Sequence, residues 1–131
     1  GELRSAYAYW VGTPVIQQPK GKDPKWSDME WQHRNWYSNV WLCGDQIVEQ
    51  HLHNIDVINW VLGMHPVKVV ATGGVIWRPQ DEVHGNIYDH IEVNYLWDTG
   101  PRGFLAQRQI AGCHNENNLY VYGTQGTANI T

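Results

Sequence analysis

Three titratable side chains in the middle of the sequence have the types and spacing of an acid/base site. Glu49 and Asp56 place carboxylates four residues before and three residues after the imidazole of His53. At about 100° per residue, a helix carries all three in one narrow stripe that also includes Trp60. Flanking carboxylates can orient the ring and stabilise the imidazolium, so His53 could exchange a proton with a bound hydroxyl group.

The same stripe allows two other interpretations. It could be a solvated helix face that carries ordinary ion pairs. Glu49, His53 and Asp56 could also bind a metal ion as three ligands. His51 cannot share an ion with His53, because the two point in nearly opposite directions from a helix. His51 falls within the apolar side of the helix and is expected to be a buried histidine bonded to the backbone.

A helix from about Asp45 to Leu62 is expected to position this stripe. Asp45 is a good N-cap, Glu49 adds negative charge near the N-terminus, and Gly63 should end the helix. Opposite the stripe lies a broad apolar arc that should pack on the core. Its members are Ile47, Val48, Ile55, Ile58, Val61 and Leu62.

Strands are expected on both sides of this helix. The predicted strands are Glu2 to Val11, Val67 to Ile76, Asn86 to Trp97, Gly103 to Ile110 and Leu119 to Tyr122. Residues 98–101, Asp-Thr-Gly-Pro, are typical of a tight turn, so the strands beside them should form an antiparallel hairpin. The stretch 12–26 predicts a long loop, and 29–41 a loop with a short helical turn.

This order of elements predicts an α+β fold, in which helices pack on one face of a mainly antiparallel open sheet. Alternation along one strand supports two different faces. Ile91, Val93, Tyr95 and Trp97 should point to one side, and His90, Glu92 and Asn94 to the other. Residues 123–128 form a turn that should lead into another strand, so the domain is expected to be truncated.

Composition limits the classes of function. The 131 residues suit one domain with a real core, since 42% are hydrophobic and 17% charged. A net charge of −4 argues against nucleic-acid binding. Neither a membrane-length apolar run nor a leader is found, so no membrane partner is expected. The chain has 8 Trp and 7 Tyr, which suit interfaces, carbohydrate-sized pockets or an aromatic core.

The cysteines leave the compartment open. Cys43 and Cys113 are too few for a disulfide framework and could either pair or stay free. The protein could therefore be cytoplasmic or periplasmic.

Residues 41–62 contain the pattern Gly-Asp-x-x-x-Glu-x-x-x-His-x-x-Asp. This segment resembles the C-terminal domain of the Gfo/Idh/MocA oxidoreductases, named for glucose–fructose oxidoreductase, inositol dehydrogenase and a rhizopine-catabolism protein. Residues 1–10 resemble the strand that begins this domain, and 120–128 its late strand and turn. The resemblance thus covers nearly the whole chain.

The resemblance implies roles for the residues of the helix. His53 matches the catalytic histidine, and Glu49 stands where many members have Asp. Asp56 matches the acidic residue after the histidine and is a candidate for substrate binding. The cofactor would be NAD or NADP, bound mainly by an N-terminal Rossmann domain. Residues 1–131 contain neither its Gly-rich phosphate loop nor its Lys-Pro motif, so the chain alone is expected to be inactive.

Further candidates for substrate binding lie outside the helix. Arg34, Asn35 and Trp36 offer a guanidinium, an amide and an indole suited to sugar hydroxyls and ring faces, or they form an anchored surface loop. Arg108 and His114 are the remaining candidates.

The leading hypothesis is therefore the substrate-binding and catalytic-histidine domain of a nicotinamide-dependent oxidoreductase acting on a sugar, cyclitol or sugar derivative. One alternative is a domain of an NAD-dependent glycosidase that works through transient oxidation. Another is a non-enzymatic sugar-binding or dimerisation module. The resemblance also implies a homo-oligomer formed through the open face of the sheet.

Overall fold

The computed structural model describes residues 1–130 as one mixed sheet with short helices on one side. The strands are β1 (Leu3–Gly12), β2 (Lys68–Gly74), β3 (His90–Leu96), β4 (Arg102–Gln109), β5 (Glu116–Gly123) and β6 (Gly126–Ile130). The helices are α1 (Asp28–Arg34), α2 (Val40–Cys43), α3 (Gln46–Glu49) and α4 (Leu52–Leu62), with a 3-10 turn at Trp36–Ser38.

The sheet has the order β2-β3-β4-β1-β5-β6. Strands β1 and β4 are parallel, and the other neighbouring pairs are antiparallel. The predicted α+β fold is confirmed, as is the hairpin that joins β3 to β4. The turn after Gly123 leads into β6, the further strand that the sequence predicted.

The main core lies between the sheet and α4. On β1, the fully buried Ala6 and Ala8 are small enough for Ile58 of α4 to pack against this face. The predicted alternation in β3 is confirmed, with Ile91 and Val93 buried and Glu92 and Asn94 exposed. The other core members are Trp97, Leu105, Leu119 and Val121.

Residues 29–41 were predicted to be a loop with a short helical turn, but they are more helical than that. The segment contains most of α1, then the 3-10 turn and the start of α2. Ser27 caps α1 by accepting a hydrogen bond from the Glu30 backbone N–H, and Glu30 pairs with Arg34 one turn later. Trp31, Trp36 and Trp41 recur every five residues, a spacing typical of neither a helix nor a strand, because each lies in a different short element.

The predicted helix from Asp45 to Leu62 is divided into α3 and α4. The Gln46 carbonyl accepts hydrogen bonds from the backbone N–H groups of both Gln50 and His51. The bond from His51 closes a turn one residue wider than that of an α-helix, a π-type irregularity that is frequent at functional sites. Both predicted ends are confirmed, with Asp45 as the cap of α3 and Gly63 as the cap of α4.

Burial of the predicted apolar arc is incomplete. Ile58 is buried and Ile47, Ile55 and Leu62 are partly buried, but Val48 and Val61 are about half exposed. The division of the helix shifts the angular register between its two parts, so one arc no longer describes both.

Cys43 is buried, Cys113 is exposed, and both are free thiols. None of the helices within residues 1–130 is long and apolar enough to cross a membrane.

Candidate functional site

His53 lies exposed on the first turn of α4, beside the end of β1. Its ring lies 5.7 Å, centroid to centroid, from the indole of Trp10, at an interplanar angle of 33°. The two rings line a cleft of about 210 Å³. The other lining residues are Asn54, Val57, Asn117, Leu119 and Ile130.

Sequence reasoning missed Trp10, although a signal was present. The period of two along β1 places Trp10 on the same face as Ala6 and Ala8. Two alanines allow the helix to approach the sheet, and the large indole follows at the strand end. That size change is what brings Trp10 against His53.

Glu49 is not paired with His53. The Glu49 carboxylate accepts a hydrogen bond from the Gln50 side-chain amide, and within residues 1–130 no hydrogen bond or ion pair joins Glu49 to His53. Burial raises the pKa of Tyr37, and the negative charge of Glu49 adds to this rise. The sequence predicted Glu49 and His53 on one face of a continuous helix. The wide turn between α3 and α4 rotates the two residues relative to each other, so they are not paired.

Asp56 and Trp60 remain on the exposed side of α4, and Trp60 is 82% exposed. Within the described residues, no group of three His, Cys, Asp or Glu side chains is arranged to hold a metal ion. The alternative of a three-ligand metal site at Glu49, His53 and Asp56 therefore has no support in the structure.

His51 is fully buried, as predicted, but the expected bond to the backbone was wrong. Neither ring nitrogen has a hydrogen-bond partner within residues 1–130. Burial lowers the pKa of His51 to about 4, so the imidazole is neutral near pH 7.

Arg34, Asn35 and Trp36 do not converge on one point. Arg34 pairs with Glu30 at 3.0 Å and lies 4.7 Å from the centre of the Trp26 ring. The buried Asn35 donates through its side-chain amide to the backbone carbonyls of residues 82 and 83. Trp36 is partly exposed and makes an edge contact with the neighbouring Tyr37. The alternative of an anchored loop therefore describes Asn35 well.

Arg108 and His114 lie together at the connection from β4 to β5. The Arg108 guanidinium donates to the His114 carbonyl. The exposed His114 ring is 3.8 Å from the Glu116 carboxylate. Neither residue lines the cleft beside His53.

A buried polar network, which the sequence did not reveal, fixes the long connection from β2 to β3. The Gln109 side chain donates to the Tyr37 hydroxyl at 2.6 Å and accepts from Arg78 at 3.3 Å. Asp89 accepts from three consecutive backbone N–H groups, at residues 76–78. Burial opposes the Asp89 charge, but these bonds and that from His90 keep its pKa below the ordinary value.

This geometry can be compared with known proteins. The family model described as GFO/IDH/MocA C-terminal domain matches residues 16–129, most of the chain. The chain belongs to the GFO/IDH/MocA family. The resemblance stated from the sequence is therefore confirmed, and residues 16–129 match the C-terminal domain of this family.

Solved structures share this fold at low identity. The aldose-aldose oxidoreductase from Caulobacter crescentus, complexed with glycerol, is 20% identical with a TM-score of 0.68, and the match covers 97% of this chain. The myo-inositol 2-dehydrogenase from Lactobacillus plantarum is 20% identical with a TM-score of 0.67 and 99% coverage. The WlbA dehydrogenase from Bordetella pertussis, complexed with NADH and UDP-GlcNAcA, is 17% identical with a TM-score of 0.68 and 98% coverage.

The matches cover 32%, 34% and 35% of these three proteins, so the chain spans about a third of their length. The comparison with curated protein sequences gives no match.

Proposed function

We propose that this chain is the substrate domain of a nicotinamide-dependent oxidoreductase, with His53 as its general acid/base. One observation carries the proposal. His53 is exposed, yet it is held against Trp10 at the mouth of a cleft, so its ring is available to a ligand and restricted in position. The family membership and the dehydrogenase neighbours support the same reaction class.

The chain's own part in this reaction is to move a proton. Oxidation of a secondary alcohol removes a hydride from carbon and a proton from the hydroxyl oxygen. A ring nitrogen of His53 would accept that proton, and in the reverse direction it would return it. Glu49 and Asp56 would act at longer range through their negative charge, since neither forms an ion pair with His53 within the described residues.

Residues 1–130 fit the alcohol side of the reaction and not the dinucleotide. Strand β1 leads into a loop, and no Gly-rich turn joins a strand to a helix N-terminus in the part of the chain that the structure describes. The nicotinamide cofactor, which supplies the hydride acceptor, would therefore be held mainly by a separate dinucleotide-binding domain. That domain would also decide between NAD and NADP.

The proposed substrate is a sugar, a cyclitol or a sugar derivative. The indole of Trp10 offers a flat surface to a ring, and Asn117 on β5 lines the same cleft with an amide. The neighbours include an inositol dehydrogenase and an aldose oxidoreductase, which supports this class.

The first experiment uses the full-length protein that contains this chain. It is denatured, and the released small molecules are analysed for nicotinamide nucleotides and for transition metals. Released NAD(H) or NADP(H) without stoichiometric metal is expected. Stoichiometric metal without any nucleotide would overturn the proposal.

The second experiment tests His53 in the same protein. His53→Asn should lower kcat by about 10²- to 10⁴-fold and change KM much less, because the proton acceptor is lost. His65→Asn is the matched control, since His65 is an exposed histidine beyond the end of α4. Equal activity of the two variants would show that His53 has no catalytic role.

We also propose that the open face of the sheet joins two copies of the protein. This face carries Tyr7 stacked on Phe104, with centroids 4.9 Å apart, and Tyr122 edge-on to Tyr7 at 5.6 Å. Phe104 and Tyr122 are 37% and 40% exposed, a patch of apolar surface more typical of an interface than of a free surface.

A further inference from the structure

A second cleft lies on the helical side of the molecule, away from His53. Its volume is about 490 Å³, within the range of ligand-binding pockets. Residues of α1 and α2 form one side, including Trp31 and Trp41, and the loop at 82–86 forms another. None of its lining residues also lines the cleft beside His53.

Trp41 is an exposed aromatic side chain held in one position. It is 58% exposed, yet its indole N–H donates to the Gln32 side-chain oxygen at 2.7 Å. The ring of His33 contacts it edge-on, with centroids 6.1 Å apart. Because the indole is already fixed, a ligand that stacks on it loses little side-chain entropy. Trp31, only 6% exposed, provides the second indole of the cleft.

The polar groups of the cleft are suited to hydroxyl groups. The Asn86 side-chain oxygen already accepts from the Val40 backbone N–H, which fixes the amide and leaves its NH₂ group as a donor. The Gln32 oxygen is likewise engaged by Trp41, and its NH₂ group has no partner within residues 1–130. Each hydroxyl of a sugar can both donate and accept a hydrogen bond. The fixed amide NH₂ groups can donate to these hydroxyls, and the carboxylates of the cleft can accept from them.

The charges of the cleft favour a neutral ligand. Lys22 is paired with Asp28, so its positive charge is matched within the lining itself. Glu82 adds an exposed carboxylate without a hydrogen-bonding or ion-pair partner for its side chain in the described residues. The lining therefore has an excess of one negative charge, which disfavours an anionic ligand.

We propose that this cleft is a second carbohydrate-binding site, which takes a neutral pyranose stacked on Trp41. It is separate from the substrate cleft at His53.

The test uses the full-length protein that contains this chain, without added cofactor. Methyl β-D-glucopyranoside and the anionic methyl β-D-glucuronide are each titrated while the tryptophan indole N–H signals are followed by NMR. The neutral glycoside should shift the Trp41 signal with a dissociation constant in the millimolar range, and the glucuronide should bind more weakly. Trp41→Ala should weaken binding about tenfold or more. Glu82→Gln leaves Trp41 unchanged and removes the negative charge of the cleft. It should therefore reduce the difference in dissociation constant between the two glycosides.

Two controls separate this site from the proposed function. Trp60→Ala removes an exposed tryptophan outside the cleft, and His53→Asn alters the proposed catalytic residue; both should bind the neutral glycoside as the unaltered chain does. A Trp41 shift that does not saturate, or a Trp31 shift that occurs in Trp41→Ala with unchanged affinity, would overturn the carbohydrate site and leave the role of His53 untouched. Loss of binding in His53→Asn would place the sugar in the other cleft and also overturn the inference.

Discussion

His51 and His53 are two residues apart and lie in opposite environments. His53 is exposed beside Trp10, whereas His51 is fully buried without a partner for either ring nitrogen in the described residues. An imidazole in such a place must stay neutral, because a buried charge without a partner is costly. At the scale of single residues, His53 is therefore available for the proposed proton transfer, and His51 belongs to the buried interior.

We expect His51 to make the stability of the chain depend on pH. Its folded-state pKa of about 4 lies below the ordinary value of 6.5. Protons therefore bind the unfolded chain first, and stability is lost as pH falls from about 6.5 to about 4. The loss should approach about 3 kcal/mol and then level off. Urea unfolding at several pH values measures it.

The matched variants are His51→Leu and His114→Gln. His51→Leu should remove this contribution and leave only the part of the acid dependence that comes from carboxylates. His114→Gln changes an exposed histidine and should keep the full dependence. If His51→Leu and the unaltered chain have the same pH dependence, His51 is not buried as described.

At the scale of elements, the loop around Gly85, between β2 and β3, lies close to the 3-10 turn and helps to hold the short helices in place. The backbone N–H of Asn86 donates to the Ser38 carbonyl at 3.0 Å, next to Gly85. A Cβ on Gly85 would lie 1.8 Å from the Ser38 oxygen, and the φ of Gly85 is +65°. Only glycine permits this approach of the loop to the 3-10 turn.

Gly85→Ala should therefore lower the free energy of unfolding by about 3 kcal/mol or more, since the two backbones must separate. Gly63→Ala is the comparison. Gly63 has a similar φ of +67° but nothing within 4 Å of an added Cβ. Gly63→Ala should lower the free energy of unfolding by only about 1 kcal/mol, the cost of placing alanine in the left-handed backbone conformation. Thermal or urea unfolding of both variants measures the difference, and equal costs would mean that the loop does not approach Ser38 closely.

At the scale of the whole molecule, the two faces of the sheet have different surroundings. The helices cover one face, where Ala6 and Ala8 are buried. The opposite face carries the aromatic patch around Tyr7, Phe104 and Tyr122. In a monomer this apolar face is exposed to water. A second copy that covers it would remove the apolar surface from water and so stabilise the dimer.

Phe104→Asp should shift the protein from oligomer to monomer, because the carboxylate would be buried without a partner in the interface. Sedimentation velocity over a range of concentrations measures this. Ile76→Asp is the control, since Ile76 is 77% exposed and lies outside the sheet. A protein that is monomeric at all concentrations before any substitution would contradict the proposed interface.

The sequence by itself determined the fold class, the strand alternation, the β3–β4 hairpin and both ends of the helical segment at Asp45 and Gly63. These features depend on local chemistry, namely side-chain period, turn residues and caps. The tertiary structure decided that the segment divides at His51, that Glu49 is not paired with His53 and that Trp10 meets His53. The division depends on one widened turn, and the meeting of Trp10 with His53 joins residues far apart in the chain. The period of β1 indicates the face on which Trp10 lies, but it does not indicate which residue of the helix meets it. The second cleft also depends on the tertiary structure, since its walls come from segments more than forty residues apart in the chain.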